Sequence, residues 1–265
     1  MRVELATEPG DPHMPNEDYA GAALPASGLG GTLVVLDGVT PPAGHDGCVH
    51  GVPWYVARLG GALLELSGSR RDMTLSQCLS EAIARTSASH ASTCDLFHVR
   101  TPQATVVMAR WNEAVAEHLV LSDSALLIES PDGAVTPVLD PRLDELRPTL
   151  RGLPLAERAA RIEALRNVAD GFHTAAADPA VAERAVTGTT PRTQVRTLAA
   201  LTDGAARWTE VFRLGDWAAL CALLRKEGPD ALIARVRAAE AADPAGAGFP
   251  RGKPHDDATA LLVEL

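Results

Sequence analysis

The 265 residues are 46% hydrophobic and 22% charged, the balance of an ordinary globular protein with enough apolar side chains for a sizeable core. A formal net charge of -10 and the lack of any Lys/Arg-rich run argue against nucleic-acid binding. The first residues, Met1-Arg2-Val3-Glu4-Leu5, hold no apolar signal core, and no segment is long and apolar enough to span a bilayer, so a cytoplasmic chain without membrane attachment is expected.

Arg2 to Thr7 alternates as a strand does, and the Pro9-to-Pro15 stretch is a loop that delivers Asn16-Glu17-Asp18 to a second strand, Tyr19 to Ala23. A third strand, Thr32-Leu33-Val34-Val35-Leu36, is apolar throughout and stops on Asp37-Gly38. Pro41-Pro42-Ala43-Gly44 then turns the chain. Val52, Val56, Leu59, Leu63 and Leu66 predict one helix, and Leu75, Leu79 and Ile83 a second. Ala104 to Trp111, His118 to Asp123, Ala125 to Glu129 and Ala134 to Leu139 read as an antiparallel meander. Asp140 to Arg192 reads as an insertion, with a helix near Leu155 to Leu165 and an unpatterned loop over Gly171 to Thr190. A strand running into Asp203, three helices (about Ala205 to Phe212, Asp216 to Lys226 and Asp230 to Ala241) and a final strand, Ala258 to Val263, complete the chain. Strands, a helix pair, then strands again predict an α+β sandwich, and the absence of a linker predicts one domain over residues 1–265.

Burial forbids a carboxylate within an apolar strand, so Asp37, Asp123 and Asp203, each following such a run, belong at a rim. Asp256-Asp257 precede the last strand; if that strand is antiparallel to the others, its acids reach the same edge. A single Asp-Gly is only a turn signal, but acids at matching ends of several strands need a cation to relieve their repulsion. Glu17, Asp37, Asp123, Asp203 and Asp256 offer oxygen donors with no His or Cys at matching strand ends, which suits Mg²⁺ or Mn²⁺ rather than zinc. Two such ions about 3.5–4 Å apart, sharing a carboxylate and a water, would perform metal-assisted phosphoester hydrolysis.

Six blocks in order resemble the metal-dependent protein phosphatases (PPM, type 2C serine/threonine phosphatases): Asn16-Glu17-Asp18, Val35-Leu36-Asp37-Gly38, Thr101-Pro102-Gln103-Ala104-Thr105, Ser122-Asp123-Ser124, Leu201-Thr202-Asp203-Gly204 and Asp256-Asp257-Ala258-Thr259. The resemblance implies a four-layer α-β-β-α sandwich of two antiparallel sheets flanked by helix pairs. It implies that Asp37 bridges two Mn²⁺ or Mg²⁺ ions, with Asp203 and Asp256 on one and the Gly38 carbonyl on the other. Glu17 would act through water, Asp123 would hold a weaker third ion, and the insertion at about 140–192 would be the variable flap. The implied substrate is a phosphorylated protein, acted on by a cytoplasmic signalling enzyme that is expected to be a monomer. Two positions depart from the family's pattern. His13 stands where an arginine usually meets the substrate phosphate, and Val39-Thr40-Pro41-Pro42 replaces a glycine-rich turn. These departures keep two alternatives open, a regulatory binding module on the same fold and a phosphatase of a small metabolite.

Other readings carry less weight. The Asp37 block lacks the second aspartate, two residues away, that a haloacid-dehalogenase-like nucleophile motif needs. Cys48, Cys78, Cys94 and Cys221 form no CxxC pair, so reduced thiols are expected. His45-Asp46-Cys48-His50 and His90-Cys94-His98 contain zinc-ligand residue types, the latter at helical spacing, but they are expected to be packing or surface residues rather than a zinc site. The four tryptophans are expected in the core, and Arg225 and Glu227 on a solvated helix face.

Overall fold

The computed structural model describes every residue except 43, 45 and 151, together with the side chain of 155. Ala43 of the predicted turn and His45 of the first Cys/His group therefore lie outside the described residues. The strands are β1 (Arg2–Glu8), β2 (Tyr19–Ala23), β3 (Gly31–Leu36), β4 (Val106–Trp111), β5 (Val115–Leu121), β6 (Ala125–Glu129), β7 (Val135–Val138), β8 (Val186–Pro191), β9 (Thr197–Leu201) and β10 (Ala258–Glu264). The helices are α1 (Val52–Ser69), α2 (Leu75–His90), α3 (Arg142–Leu146), α4 (Leu155–Ala164), α5 (Asp203–Glu210), α6 (Trp217–Glu227) and α7 (Pro229–Ala242).

All strand pairings are antiparallel, in two sheets ordered β1-β10-β9-β6-β7 and β2-β3-β4-β5-β8. Leu33, Val35, Val107 and Val120 of one sheet meet Leu126, Leu198, Ala200, Leu261 and Val263 of the other in the inter-sheet core. The opposite faces are covered too. Val34, Leu36 and Met108 pack under α1 and α2, and Leu127, Ala199 and Leu262 under α5, α6 and α7. Central strands are thus buried on both sides, which is why they read as unbroken apolar runs. The architecture is the expected α-β-β-α sandwich, with three helices rather than two on one outer face.

The two helices over the second sheet end and begin by different devices. Thr74 caps α2 in a reciprocal box with Gln77, while α1 starts with Pro53 in its first turn behind Gly51 at φ 76°. Tyr55 of α1 is fully buried and donates its hydroxyl to the Ala176 carbonyl at 2.9 Å, tying the segment before β8 to this layer.

Three expectations change. The loop read over Gly171 to Thr190 contains most of β8, an edge strand on β5. Val-Thr-Gly-Thr-Thr-Pro shows little apolar alternation because an edge strand can leave one face to solvent and end on proline. Gly188 is required there, since a Cβ would stand 2.6 Å from the ring of His118 on β5. Arg225 is not a solvated residue. It joins Glu129 at 2.9 Å and Glu264 at 3.0 Å across the outer face of the first sheet. Trp111 and Trp208 lie in the core, but Trp54 and Trp217 are only half-buried.

Leu59 is fully buried between α1 and the second sheet. Leu59→Ala is expected to cost about 2–5 kcal/mol, read as a lower urea midpoint with an unchanged slope.

Candidate metal centre

Strand direction brings the acids together. β3 and β5 both run antiparallel to β4, so Asp37 and Asp123 follow them at the same sheet end; β2 starts there, placing Glu17 and Asp18 beside them. In the facing sheet β9 runs into Asp203 while its antiparallel neighbour β10 leaves from Asp256-Asp257. The last strand thus pairs antiparallel with β9, which meets the condition for its acids to reach the same edge, and β3 contributes from the other sheet.

Asp37 is held by its backbone. Its N–H donates to the Thr105 hydroxyl at 3.2 Å, its carbonyl accepts from the Thr105 N–H at 2.9 Å, and Ser124 braces that hydroxyl at 2.6 Å. Gly38 donates to the Glu17 carbonyl at 3.1 Å, and a Cβ at Gly38 would lie 2.4 Å from that oxygen and 2.4 Å from Val52. At Gly204 a Cβ would lie 1.9 Å from the Asp257 carbonyl. The glycines after Asp37 and Asp203 therefore permit two strand ends to touch neighbouring backbone, whatever else their carbonyls do.

The second acid of each pair has its own work. Asp257 accepts from the N–H groups of Gly10 (2.8 Å) and Glu17 (2.6 Å), fixing the loop that carries Glu17. Asp18 accepts from the Thr202 hydroxyl at 3.0 Å through one oxygen, while its other oxygen, Oδ1, is buried with no partner. Asp123 follows Ser122, whose φ of 69° is costly for a serine. Asp140 holds that backbone by accepting from the Ser122 N–H at 2.9 Å, and Arg142 in turn grips Asp140 at 2.6 Å.

Like charges dominate the electrostatics. Burial, then Asp203, Asp18, Asp256 and Asp123, push the Asp37 carboxyl well above the usual range. Burial chiefly, with neighbouring acids, raises Asp18 to about 8 and Asp203 to about 7. Burial also raises Glu17 and Asp123. Cations offset part of this repulsion. Asp256 is bound by Arg207 at 2.7 Å and Lys253 at 2.8 Å, and Arg147 comes within 3.6 Å of Asp123. Thr40 of the divergent turn donates to Glu17 and accepts from Lys253 at 3.0 Å.

Of the sequence-derived set, Glu17, Asp37, Gly38, Asp123, Asp203 and Asp256 share this edge. His13 does not join it through any contact: it is exposed, and among the described residues its imidazole has no partner. Sequence reasoning missed Asp18, Thr40, Arg207 and Lys253. Asp18 sits inside a quoted block, and Arg207 lies one helical turn after Asp203. The donor set is hard oxygen throughout, with one orphaned buried carboxylate oxygen and several carboxyls reluctant to ionise together, and so it fits a hard divalent cation.

The family model described as Protein phosphatase 2C matches residues 12–236. Among solved structures, the serine/threonine phosphatase Stp1 from Staphylococcus aureus is similar with a TM-score of 0.66 at 14% identity, covering 99% of this chain and 94% of that one. The Mycobacterium tuberculosis phosphatase PstP/Ppp is similar with a TM-score of 0.63 at 16% identity, covering 100% and 98%. The catalytic domain of PstP in complex with two manganese ions has a TM-score of 0.60 at 15% identity, covering 99% and 97%. No functionally curated protein matches the chain.

Because Asp37, Asp18 and Asp203 titrate higher in the fold than in an unfolded chain, their contribution favours the metal-free fold at low pH. That contribution is lost as pH rises from the ordinary carboxylate range through about 7 to 8. A divalent cation competes with those protons. The gain in thermal midpoint on saturation with Mn²⁺ or Mg²⁺ is therefore expected to be larger at pH 8 than at pH 6; a gain independent of pH would contradict the assignment.

Proposed function

This chain belongs to the protein phosphatase 2C family, and from that premise we propose that it is a metal-dependent phosphatase acting on phosphoserine or phosphothreonine in proteins. The observation that carries the reading is the crowding of Asp37, Asp203, Asp18, Asp256 and Asp123 at one sandwich edge, where each raises the cost of ionising Asp37. Asp37, Asp203, Asp256, Glu17 and the Gly38 carbonyl would hold two ions, Mn²⁺ or Mg²⁺, with Asp123 toward a weaker third. Bound ions of this kind supply positive charge at the phosphoryl oxygens and lower the pKa of water.

The chain's own contribution is to position and to balance charge. Thr105 and Ser124 fix the Asp37 backbone, and Asp257 fixes the Glu17 loop. Lys253 and Arg207 hold Asp256, and the Lys253 ammonium also reaches Thr40 beside Glu17. His13, exposed in the loop before Glu17, is proposed as the group that meets the substrate phosphate. Residues 1–265 would act as one catalytic unit, with the portion of residues 140–192 before β8 as its cover. Arg147 from that portion already approaches Asp123.

A second reading, a regulatory module that binds metal without turnover, is favoured by one observation. Both Asp256 oxygens are engaged by cations of the chain itself. Metal titration run beside a turnover screen on phosphopeptides and small phosphorylated metabolites separates the readings; tight binding with no turnover would select the module.

Asp37→Asn is expected to reduce phosphate release by roughly two orders of magnitude or more, the scale of losing several kcal/mol of charge stabilisation. The same change removes a repelled carboxylate, so in chelator the variant is expected to be more stable than wild type by about 1 kcal/mol in urea unfolding. A variant that keeps its turnover, or that is destabilised in chelator, would refute the role of Asp37.

If His13 meets phosphate, His13→Arg is expected to lower KM for a phosphopeptide and to flatten its rise on the alkaline side, because guanidinium does not titrate there. His13→Ala should raise KM without changing metal affinity. Unchanged constants in both variants would move the role to another cation, and Lys253 is the one already beside Glu17 and Asp256.

A further inference from the structure

Cys48 and His50 precede α1, while His90 is the last residue of α2 and Cys94 lies in the turn just beyond it. The fold merges the two groups. One ligand atom from each of these four residues lies within 4.8 Å of all the others, the one such convergence of three or more His, Cys, Asp or Glu among the described residues. Sγ of Cys48 and Sγ of Cys94 are 3.3 Å apart. Nδ1 of His50 stands 3.7 Å from Cys48 Sγ and 3.4 Å from Cys94 Sγ, and Nδ1 of His90 stands 3.6 Å from Cys48 Sγ. His98, the other candidate of the second group, accepts the Arg100 N–H on its Nδ1 at 3.2 Å and is not in the cluster.

Those sulfur–nitrogen spacings are close to the ones a tetrahedral metal imposes, with the sulfurs somewhat closer together. A tetrahedral ion with metal–sulfur bonds of about 2.3 Å and metal–nitrogen bonds of about 2.0–2.1 Å separates its sulfurs by roughly 3.8 Å and each sulfur from each nitrogen by roughly 3.6 Å. A disulfide would instead need sulfurs about 2.0 Å apart. We propose that Cys48, His50, His90 and Cys94 form a structural zinc site that staples the loop before α1 to the end of α2. Two thiolates and two neutral imidazoles neutralise Zn²⁺, each thiol giving its proton to solvent as it ligates. All four positions are protein donors, so none is left for substrate.

The surroundings match a built site. The His50 N–H donates to Cys48 Sγ at 3.4 Å, and the Thr93 hydroxyl lies 3.5 Å from Cys94 Sγ. Trp54 stacks on His50 with centroids 4.1 Å apart and lies 5.1 Å from His90, shielding one side. Backbone contacts set the two ligand-bearing segments side by side. Asp95 N–H donates to the Gly47 carbonyl at 2.8 Å, and Gly47, at φ 80°, sits where a Cβ would meet His98 at 2.6 Å. Such outer contacts orient ligands around a metal.

The test uses the full chain, purified under reducing conditions without chelator. It is expected to carry about one zinc ion that survives dialysis against excess Mn²⁺ or Mg²⁺, because those ions do not compete for thiolate. Replacement by Co²⁺ should give a sulfur-to-cobalt charge-transfer band and intense tetrahedral visible bands. Cys48→Ser/Cys94→Ser should abolish them, while Asp37→Asn should leave them intact, which separates this site from the acidic one. If the double variant fails to fold, titration of the wild type with a mercurial decides the question: zinc should be released in step with modification of two thiols. Four free thiols with no metal bound, a Cys48–Cys94 disulfide in freshly purified protein, cobalt bands surviving in a folded double variant, or zinc release uncoupled from thiol modification would each overturn the proposal.

Discussion

Mutual repulsion among carboxylates at one edge of the sandwich is the constraint on which the site depends. A fold does not gain stability by gathering Asp18, Asp37, Asp123, Asp203 and Asp256 there; burial chiefly, with neighbouring acids, makes Asp18, Asp37, Asp123 and Asp203 harder to ionise. What keeps them together is the antiparallel register, which sends β3, β5 and β9 toward this edge and starts β2 and β10 from it. The cost is carried by two apolar outer layers and an inter-sheet core that hold the strands in place. Arg207 and Lys253 lower that cost locally by taking up Asp256.

Backbone contacts refine what register only approximates. Thr105 bonds both the N–H and the carbonyl of Asp37, Asp257 bonds the N–H of Glu17, and the paired Thr202 and Thr259 join the ends of β9 and β10. None of these groups needs to touch a cation to matter, because each sets where a carboxylate-bearing backbone lies. Gly38 and Gly204 act similarly. Their missing Cβ atoms allow the Glu17 and Asp257 carbonyls to approach within distances that any side chain would block.

The apolar runs ending in acids made the central strands and the rim legible from sequence, since a carboxylate is excluded from a strand buried on both faces until the strand reaches its end. β8 was not legible, because an edge strand of Val, Gly, Thr and Pro carries no periodic apolar signal. Nor was the merging of the two Cys/His groups, which depends on α1 and α2 folding back so that the start of one meets the end of the other. Local spacing cannot report that. Arg225 was misread for the same reason: its partners Glu129 and Glu264 are distant in sequence and adjacent only across the sheet. His13 shows the converse, a residue singled out by its place in a motif that remains an exposed loop side chain in the fold.

The Cys/His cluster and the acidic edge are mechanically connected through the first residue of α1. Gly38 packs so closely on Val52 that a Cβ would lie 2.4 Å from its side chain, and Val52 follows His50 by two positions. The turn between them, Val39-Thr40-Pro41-Pro42, is stiffened by its prolines and carries Thr40, whose hydroxyl bonds Glu17. Any group that fixes Cys48 and His50 against His90 and Cys94 therefore fixes the helix start that backs Gly38, and limits how far Thr40 can drift from Glu17. Because Pro41 and Pro42 limit how the intervening backbone can bend, a cross-link at the far end of the same loop is a physically sufficient way to hold the acidic edge in register.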